Sequence, residues 1–316
     1  MNYYRFGKSE LMVSKFSMGA DQASRVNTAD EKKDFCDAVN RAIDLGVNLF
    51  DTAEGYGQGK SEEILGEILK GRRDKFYIAS KVSHEHWRRA DVEKSCEASL
   101  RRLGTDYLDI YYIHMPSKEM KIEETMGALS KLKKEGKIRS IGLSNFSKDE
   151  IEKALKIDTV DVLQSGYNPL WRKMEKDIIP FCIKNNISVS PYSPLAHGLL
   201  SGKFRPDLKL DDLDFRKGVI LFQPEWYPKC CAIIEKMRVM AEKYGKTLAQ
   251  FTLAWIAMQK GVTSVLIGGR NVAQIEENLE AAGMVISEED DAQVREISES
   301  LSRELPDWTS IWFPGF

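Results

Sequence analysis

Cysteine is scarce in this chain, with five in 316 residues. The number is odd and no Cys-x-x-Cys pair occurs, which argues against a disulfide framework and a cysteine-built zinc site. Cys36, Cys96, Cys182, Cys230 and Cys231 are therefore expected to be mostly buried thiols. No apolar run approaches the length needed to span a bilayer. Neither sign of charge dominates: 46 Lys and Arg against 48 Asp and Glu leave a net charge of -2, which gives no footprint for nucleic acid or a membrane surface. The N-terminus, Met1-Asn-Tyr-Tyr-Arg-Phe-Gly7, lacks the apolar core and small-residue cleavage site of a secretory leader, so a cytoplasmic protein is expected. Two phosphate-binding fingerprints are also missing. No Gly-x-Gly-x-x-Gly follows the first strand, and the nearest approach to a P-loop, ending at Gly59-Lys60-Ser61, has Glu54 where a glycine is required.

What is present is an alternation. Residues 3–16 read as a short hairpin turning at Gly7-Lys-Ser9, and Phe16–Gly19 as a first buried strand. A capping box at Thr28–Glu31 then opens a helix with Phe35, Ala38, Val39, Ala42 and Ile43 on one face. Apolar strands follow at 47–50, 76–81, 108–114, 138–143, 160–164, 187–192 and 262–267, each separated from the next by helical segments, one of them opened by a second capping box at Ser147–Glu150. Eight βα units with no break in composition predict one (β/α)8 TIM barrel over residues 1–316, with an N-terminal hairpin and extended loops over its C-terminal face. The loops are Ser201–Pro228 and the tail from Leu305, where Phe204, Phe215, Phe222, Trp226, Tyr227, Trp308, Trp312, Phe313 and Phe316 are candidate substrate walls.

In such a barrel the chemistry stands at the carboxyl ends of the strands. Those ends read Asp51, Lys81, His114, Ser144 with Asn145, Gln164, Tyr192, and Gly268 with Gly269. Six successive polar ends over one mouth are costly unless they are used. Asp51 also opens the loop Asp51-Thr-Ala-Glu-Gly-Tyr56-Gly57, which carries a phenol to the same place.

These residues resemble the aldo-keto reductase family over nearly the whole chain. The likeness rests on Phe50–Gly57, the strand-end Lys81, Ile113-His114-Met-Pro116, Gly142-Leu-Ser144-Asn145, Gln164 with Tyr167-Asn168, Pro191–Leu195 with Gly198–Lys203, and Ile267–Arg270 with Gln274, Glu277 and Asn278. It implies an NADPH-dependent oxidoreductase that reduces an aldehyde or ketone to an alcohol, with Asp51, Tyr56, Lys81 and His114 as its catalytic tetrad and Tyr56 as general acid. A free phenol with a pKa of about 10 is a poor proton donor at neutral pH. The Lys81 ammonium is therefore expected to lower the Tyr56 pKa, with Asp51 holding Lys81 and His114 orienting the carbonyl oxygen.

The resemblance further implies that Ser144, Asn145 and Gln164 bond the nicotinamide carboxamide while Tyr192 stacks on the ring. Ser193, Leu195, Ser201, Lys203 and Arg216 would line the pyrophosphate, and Gly268, Gln274, Glu277 and Asn278 the adenosine end. Arg270 falls where a 2′-phosphate is expected, which favours NADPH over NADH. After Met18-Gly19 the family often has a threonine and an aromatic, whereas this chain has Ala20 and Asp21. That makes Asp21 a polar candidate for the substrate wall, with Trp87, Trp226 and Trp308 as aromatic ones. His84 and His86 offer two nitrogens but no convergent third ligand, so no metal is expected. The alternative function is a cofactor-binding regulatory or channel-associated subunit with little turnover. The retained His114 argues for turnover.

Overall fold

The protein is described by a computed structural model over residues 1–312. Strands β1 (Tyr3–Arg5) and β2 (Met12–Ser14) form an antiparallel hairpin with Tyr4 opposite Val13. Then come β3 (Phe16–Gly19), α1 (Ala29–Asp44), β4 (Leu49–Asp51), α2 (Lys60–Leu69), β5 (Tyr77–Val82), α3 (Arg89–Leu103) and β6 (Leu108–Ile113). The alternation continues with α4 (Ile122–Lys134), β7 (Ile138–Ser144), α5 (Lys148–Leu155), β8 (Val162–Gly166), α6 (Ile178–Asn185) and β9 (Ser188–Tyr192). After a long loop come α7 (Tyr227–Lys243), α8 (Leu248–Met258), β10 (Val265–Ile267), α9 (Val272–Leu279) and α10 (Glu288–Glu304).

Local chemistry fixes the helix starts. Thr28 Oγ1 accepts the Glu31 N–H at 3.1 Å while Glu31 Oε2 accepts the Thr28 N–H at 3.1 Å. The same reciprocal box opens α5 at Ser147 and Glu150, and α8 at Thr247 and Gln250. The last was overlooked in the sequence, although Thr-x-x-Gln carries the signal. Phe35, Ala38, Val39 and Ala42 of the α1 stripe are buried as their spacing predicts, while Ile43 is only partly buried against the core.

Strands β3 to β10 form one parallel sheet in the order β10-β3-β4-β5-β6-β7-β8-β9. It closes through the segment before β10: the Thr263 N–H donates to Val189 O at 2.9 Å and the Val189 N–H to Gly261 O at 3.2 Å. The expected last strand, 262–267, is thus two parts, a bridge to β9 at Val262 and a ladder to β3 from Val265. The other strand boundaries shift by one or two residues.

The barrel has a floor and a mouth. Phe6, Leu11 and Val13 of the hairpin pack against the inward-facing Leu49, Ala79, Ile110, Tyr112 and Val162, so the amino-terminal end is closed and apolar. Gly7 presses into this seam with φ 61°, and a Cβ there would stand 2.0 Å from the Asp161 carbonyl oxygen, so only glycine fits. Above the floor lies the Tyr112 ring, admitted because Gly142 has no side chain: a Cβ at Gly142 would fall 2.3 Å from Tyr112 Cδ1. Polar residues begin immediately above that ring.

Candidate active site

Asp51 ends β4 and Lys81 lies one residue before the end of β5, both pointing inward and buried. Lys81 Nζ forms an ion pair with Asp51 Oδ1, donates to Thr52 O at 2.8 Å, and stands 3.3 Å from the Tyr56 phenol oxygen. The other Asp51 oxygen, Oδ2, accepts from Gln164 Nε2 at 2.8 Å. Both lone-pair faces of the carboxylate and the ammonium are thereby satisfied, the condition for keeping a buried ion pair. His114 follows β6 directly, its N–H donating to Val82 O at 3.0 Å. Its ring meets that of Tyr56 edge-on, with centroids 5.5 Å apart. The four residues expected to act together are therefore brought together.

The electrostatics correct one expectation. Burial raises the Tyr56 pKa well above the ordinary value, and the charges of Asp51 and Asp21 add to that rise. Lys81 does not reverse it, because its charge is committed to Asp51. The phenol is therefore firmly protonated. His114 moves the other way, down to about 3, chiefly through burial and then through Lys81 and His84. Its imidazole is neutral at physiological pH, with one N–H to give and one nitrogen free to accept.

The amide group at the ends of β7 to β9 is a connected network. Asn145, at φ 65°, donates from Nδ2 to His114 O at 3.2 Å and to Ser144 Oγ at 3.0 Å. Its Oδ1 accepts from the Tyr192 hydroxyl at 2.7 Å. Beyond β9 the backbone turns sharply, with positive φ at Ser193, Ala196 and His197. Ser193 Oγ meets His197 Nε2 at 3.0 Å, and Ser201 Oγ donates to Gly198 O at 2.6 Å. Leu195 precedes this turn of 3-10 helix, and Lys203 is exposed after it. Arg216 forms an ion pair with Asp214 and lies over the Phe204 ring at 4.8 Å, so its guanidinium already has an anion.

At the far end, Arg270 is exposed and lines a cavity with Gln22, Arg25 and Asn271. Gln274 Oε1 accepts the Arg270 N–H at 2.9 Å, and Asn278 Nδ2 donates to Gly268 O at 2.9 Å. Glu277 stands on the same helix, α9, between them. A nicotinamide dinucleotide fits this donor set. The hydroxyl and amides of Ser144, Asn145 and Gln164 suit a carboxamide, the Tyr192 ring offers a flat face, and a guanidinium suits a phosphate.

Of the expected substrate walls, Asp21 begins a 3-10 turn after β3 and pairs with Arg25 at 3.1 Å. Trp87 is buried after β5, its carbonyl accepting from Thr125 Oγ1 at 2.6 Å. Nearby, His86 Nδ1 meets Glu54 Oε1 at 2.9 Å, so this histidine has a carboxylate partner. Among the described residues no group of three or more His, Cys, Asp or Glu side chains is placed to hold a metal ion. Trp226 is buried just before α7, with Lys229 Nζ 4.9 Å from its ring centroid. Trp308 packs partly buried against the core in the tail. Phe313 and Phe316 lie outside the described residues.

Two residues at the mouth were missed, Arg25 and His197, and both meet aromatics that the sequence did single out. Arg25 lies 4.3 Å over the Phe215 ring, joining the β3 loop to the Ser201–Pro228 loop. His197 and Phe215 both meet the Trp312 indole, at 4.8 and 6.2 Å. The tail is tied down where Ser165 Oγ donates to Thr309 O at 3.0 Å and the Ile220 N–H to Ile311 O at 3.2 Å. These contacts join segments about a hundred or more residues apart, so no local pattern announces them.

A barrel with an anchored phenol, a neutral imidazole and an amide network at its mouth defines a nicotinamide-dependent carbonyl reductase. The chain belongs to the aldo-keto reductase family: the family model described as "Aldo/keto reductase family" matches residues 15–299. The "Aldo-keto reductase YhdN" of Bacillus subtilis (strain 168) is 31% identical over 313 residues, covering 95% of this chain and 94% of that protein. The NADH-specific methylglyoxal reductase of Escherichia coli (strain K12) is 32% identical over 322 residues, covering 94% and 98%. Among solved structures, a glycerol dehydrogenase from Gluconobacter oxydans superposes with a TM-score of 0.88 at 30% identity, covering 97% of this chain and 98% of that one. An aldo-keto reductase from Klebsiella pneumoniae in complex with NADPH does so with a TM-score of 0.78 at 28% identity, covering 98% of each. No helix among the described residues is long and apolar enough to cross a membrane.

Proposed function

We propose that this protein reduces a small aldehyde or ketone with NADPH, and that Tyr56 is the proton donor. The observation that carries the reading is the convergence of Lys81 Nζ on Asp51, Thr52 O and the Tyr56 hydroxyl, beside the His114 ring. Bound along the network from Ser144 to Arg270, the reduced nicotinamide supplies the hydride. The protein does the rest. Neutral His114 donates a hydrogen bond to the carbonyl oxygen and fixes its direction. Tyr56 gives its hydroxyl proton to that oxygen as negative charge develops there, and the Lys81 ammonium stabilises the phenolate left behind. Asp51 holds the ammonium in reach.

Relatives named for methylglyoxal and glycerol support a small, uncharged substrate. The exposed Arg270 guanidinium, without an ion-pair partner among the described residues, supports NADPH, while the NADH-specific relative makes the comparison with NADH worth measuring. No observation favours a regulatory or channel-associated subunit. The test is a screen of aldehydes and ketones that follows NADPH oxidation, with Tyr56→Phe as control. Oxidation that persists undiminished in the variant overturns the assignment of the proton donor.

A further inference from the structure

Asp21 is a carboxylate at the mouth that the chemistry above does not use, and its place is fixed by its neighbours. The preceding Ala20 N–H donates to Asp51 O at 2.7 Å, and Ala20 O accepts from Ser61 Oγ at 2.7 Å. The turn that Asp21 begins lies directly beside the loop carrying Tyr56: a Cβ on Gly57 would stand 2.9 Å from Ser24 Cβ. Asp21 is thus clamped to the tetrad by its backbone while its side chain remains 41% exposed. Its charge reaches the Tyr56 phenol and helps to hold it protonated.

Three neighbouring cations are already committed. Lys81 is paired with Asp51, Arg25 with Asp21 itself and Arg216 with Asp214, while Glu54 adds a further carboxylate on the Tyr56 loop. We propose that Asp21 sets the charge of the substrate: the mouth accepts electroneutral, hydroxylated aldehydes and ketones and turns away carbonyl compounds that carry a carboxylate. This rests on the reductase reading above. A second anion in the mouth meets repulsion from Asp21, whereas a substrate hydroxyl can donate to the same carboxylate. Like charges about 7 Å apart at an intermediate permittivity change relative binding by roughly tenfold.

The test compares two aldehydes of nearly equal size, 4-(hydroxymethyl)benzaldehyde and 4-formylbenzoate. The wild type is expected to favour the neutral one in kcat/KM by about tenfold or more, and Asp21→Asn to shrink that ratio by about tenfold. The double variant Asp21→Asn/Arg25→Gln is expected to keep the reduced ratio, showing that the lost carboxylate and not a freed guanidinium is responsible. Should Asp21→Asn not fold, added salt provides the second measurement, because screening is expected to narrow the wild-type ratio. Equal kcat/KM for both aldehydes in the wild type, an unchanged ratio in Asp21→Asn, or a ratio restored in the double variant overturns the proposal while leaving the reductase reading intact. Failure of the wild type to oxidise NADPH or NADH with either aldehyde brings down the reductase reading itself, and this proposal with it.

Discussion

Lys81 Nζ stands 3.3 Å from the Tyr56 hydroxyl while its charge is held by Asp51. The lysine therefore touches the proposed proton donor without drawing out its proton. Tyr56→Phe keeps the ring and its packing on His114 but removes the proton. Reduction of a test aldehyde is expected to fall by about a hundredfold or more in kcat, with NADPH affinity by fluorescence titration nearly unchanged.

Lys81→Met separates stability from chemistry. It leaves the Asp51 carboxylate buried with Gln164 as its remaining side-chain partner. Breaking one side of a buried pair costs about 3–5 kcal/mol. A clear fall in the denaturation midpoint is expected with the loss of activity, and the double variant Lys81→Met/Asp51→Leu should recover much of the stability and none of the activity.

Gly142→Ala tests the floor of the site. The added methyl meets the Tyr112 ring at a distance no real contact reaches. Overpacking of this kind costs about 1–3 kcal/mol, measured by urea unfolding. The same change should impair turnover by tilting Tyr112 beneath Lys81.

Arg270→Ala reports on the cofactor. An exposed guanidinium facing the cavity beside Gln22 and Asn271 is expected to matter only to the phosphorylated dinucleotide. NADPH affinity should fall about tenfold or more and NADH affinity little. Equal losses in the two titrations remove the reason to prefer NADPH.

Acid should destabilise the fold through two histidines. His114 is held down to about 3 and His197 to about 4, both chiefly by burial. Their folded pKa values lie below the unfolded value of about 6.5, so between those limits the unfolded chain binds more protons. The stability they confer is complete above about pH 6.5 and is lost as pH falls toward 4 and 3. Thermal melts from pH 7 to 4 should show this slope, and His197→Asn should flatten it.

Most of the barrel was legible because each strand is a short, largely apolar run and six of them in succession end in polar residues, and strand ends are where this architecture puts its chemistry. Asp51, Lys81, His114, Ser144, Asn145, Gln164 and Tyr192 all lie at one mouth for that reason. The capping boxes at Thr28 and Ser147 are local rules with local partners. Three-dimensional pairings were not legible. The stacking of Arg25 on Phe215, the closure of the barrel through Val189 and Thr263, and the burial of Trp226 depend on distant segments meeting. The direction of the Tyr56 shift failed for a related reason: the sequence places a lysine near the phenol but not the accounting of whose charge that lysine already answers.

The hairpin under the barrel closes its amino-terminal end, so the described residues form a cup open toward the strand ends. Phe6, Leu11 and Val13 seal the base with hydrocarbon, and above them Asp51, Lys81 and Gln164 are bonded to one another. On the proposed mechanism, the proton that Tyr56 gives up in each cycle must therefore be replaced from the same side by which substrate enters and alcohol leaves. Recharging of the acid and traffic of small molecules share one doorway, and whatever crowds that doorway slows both.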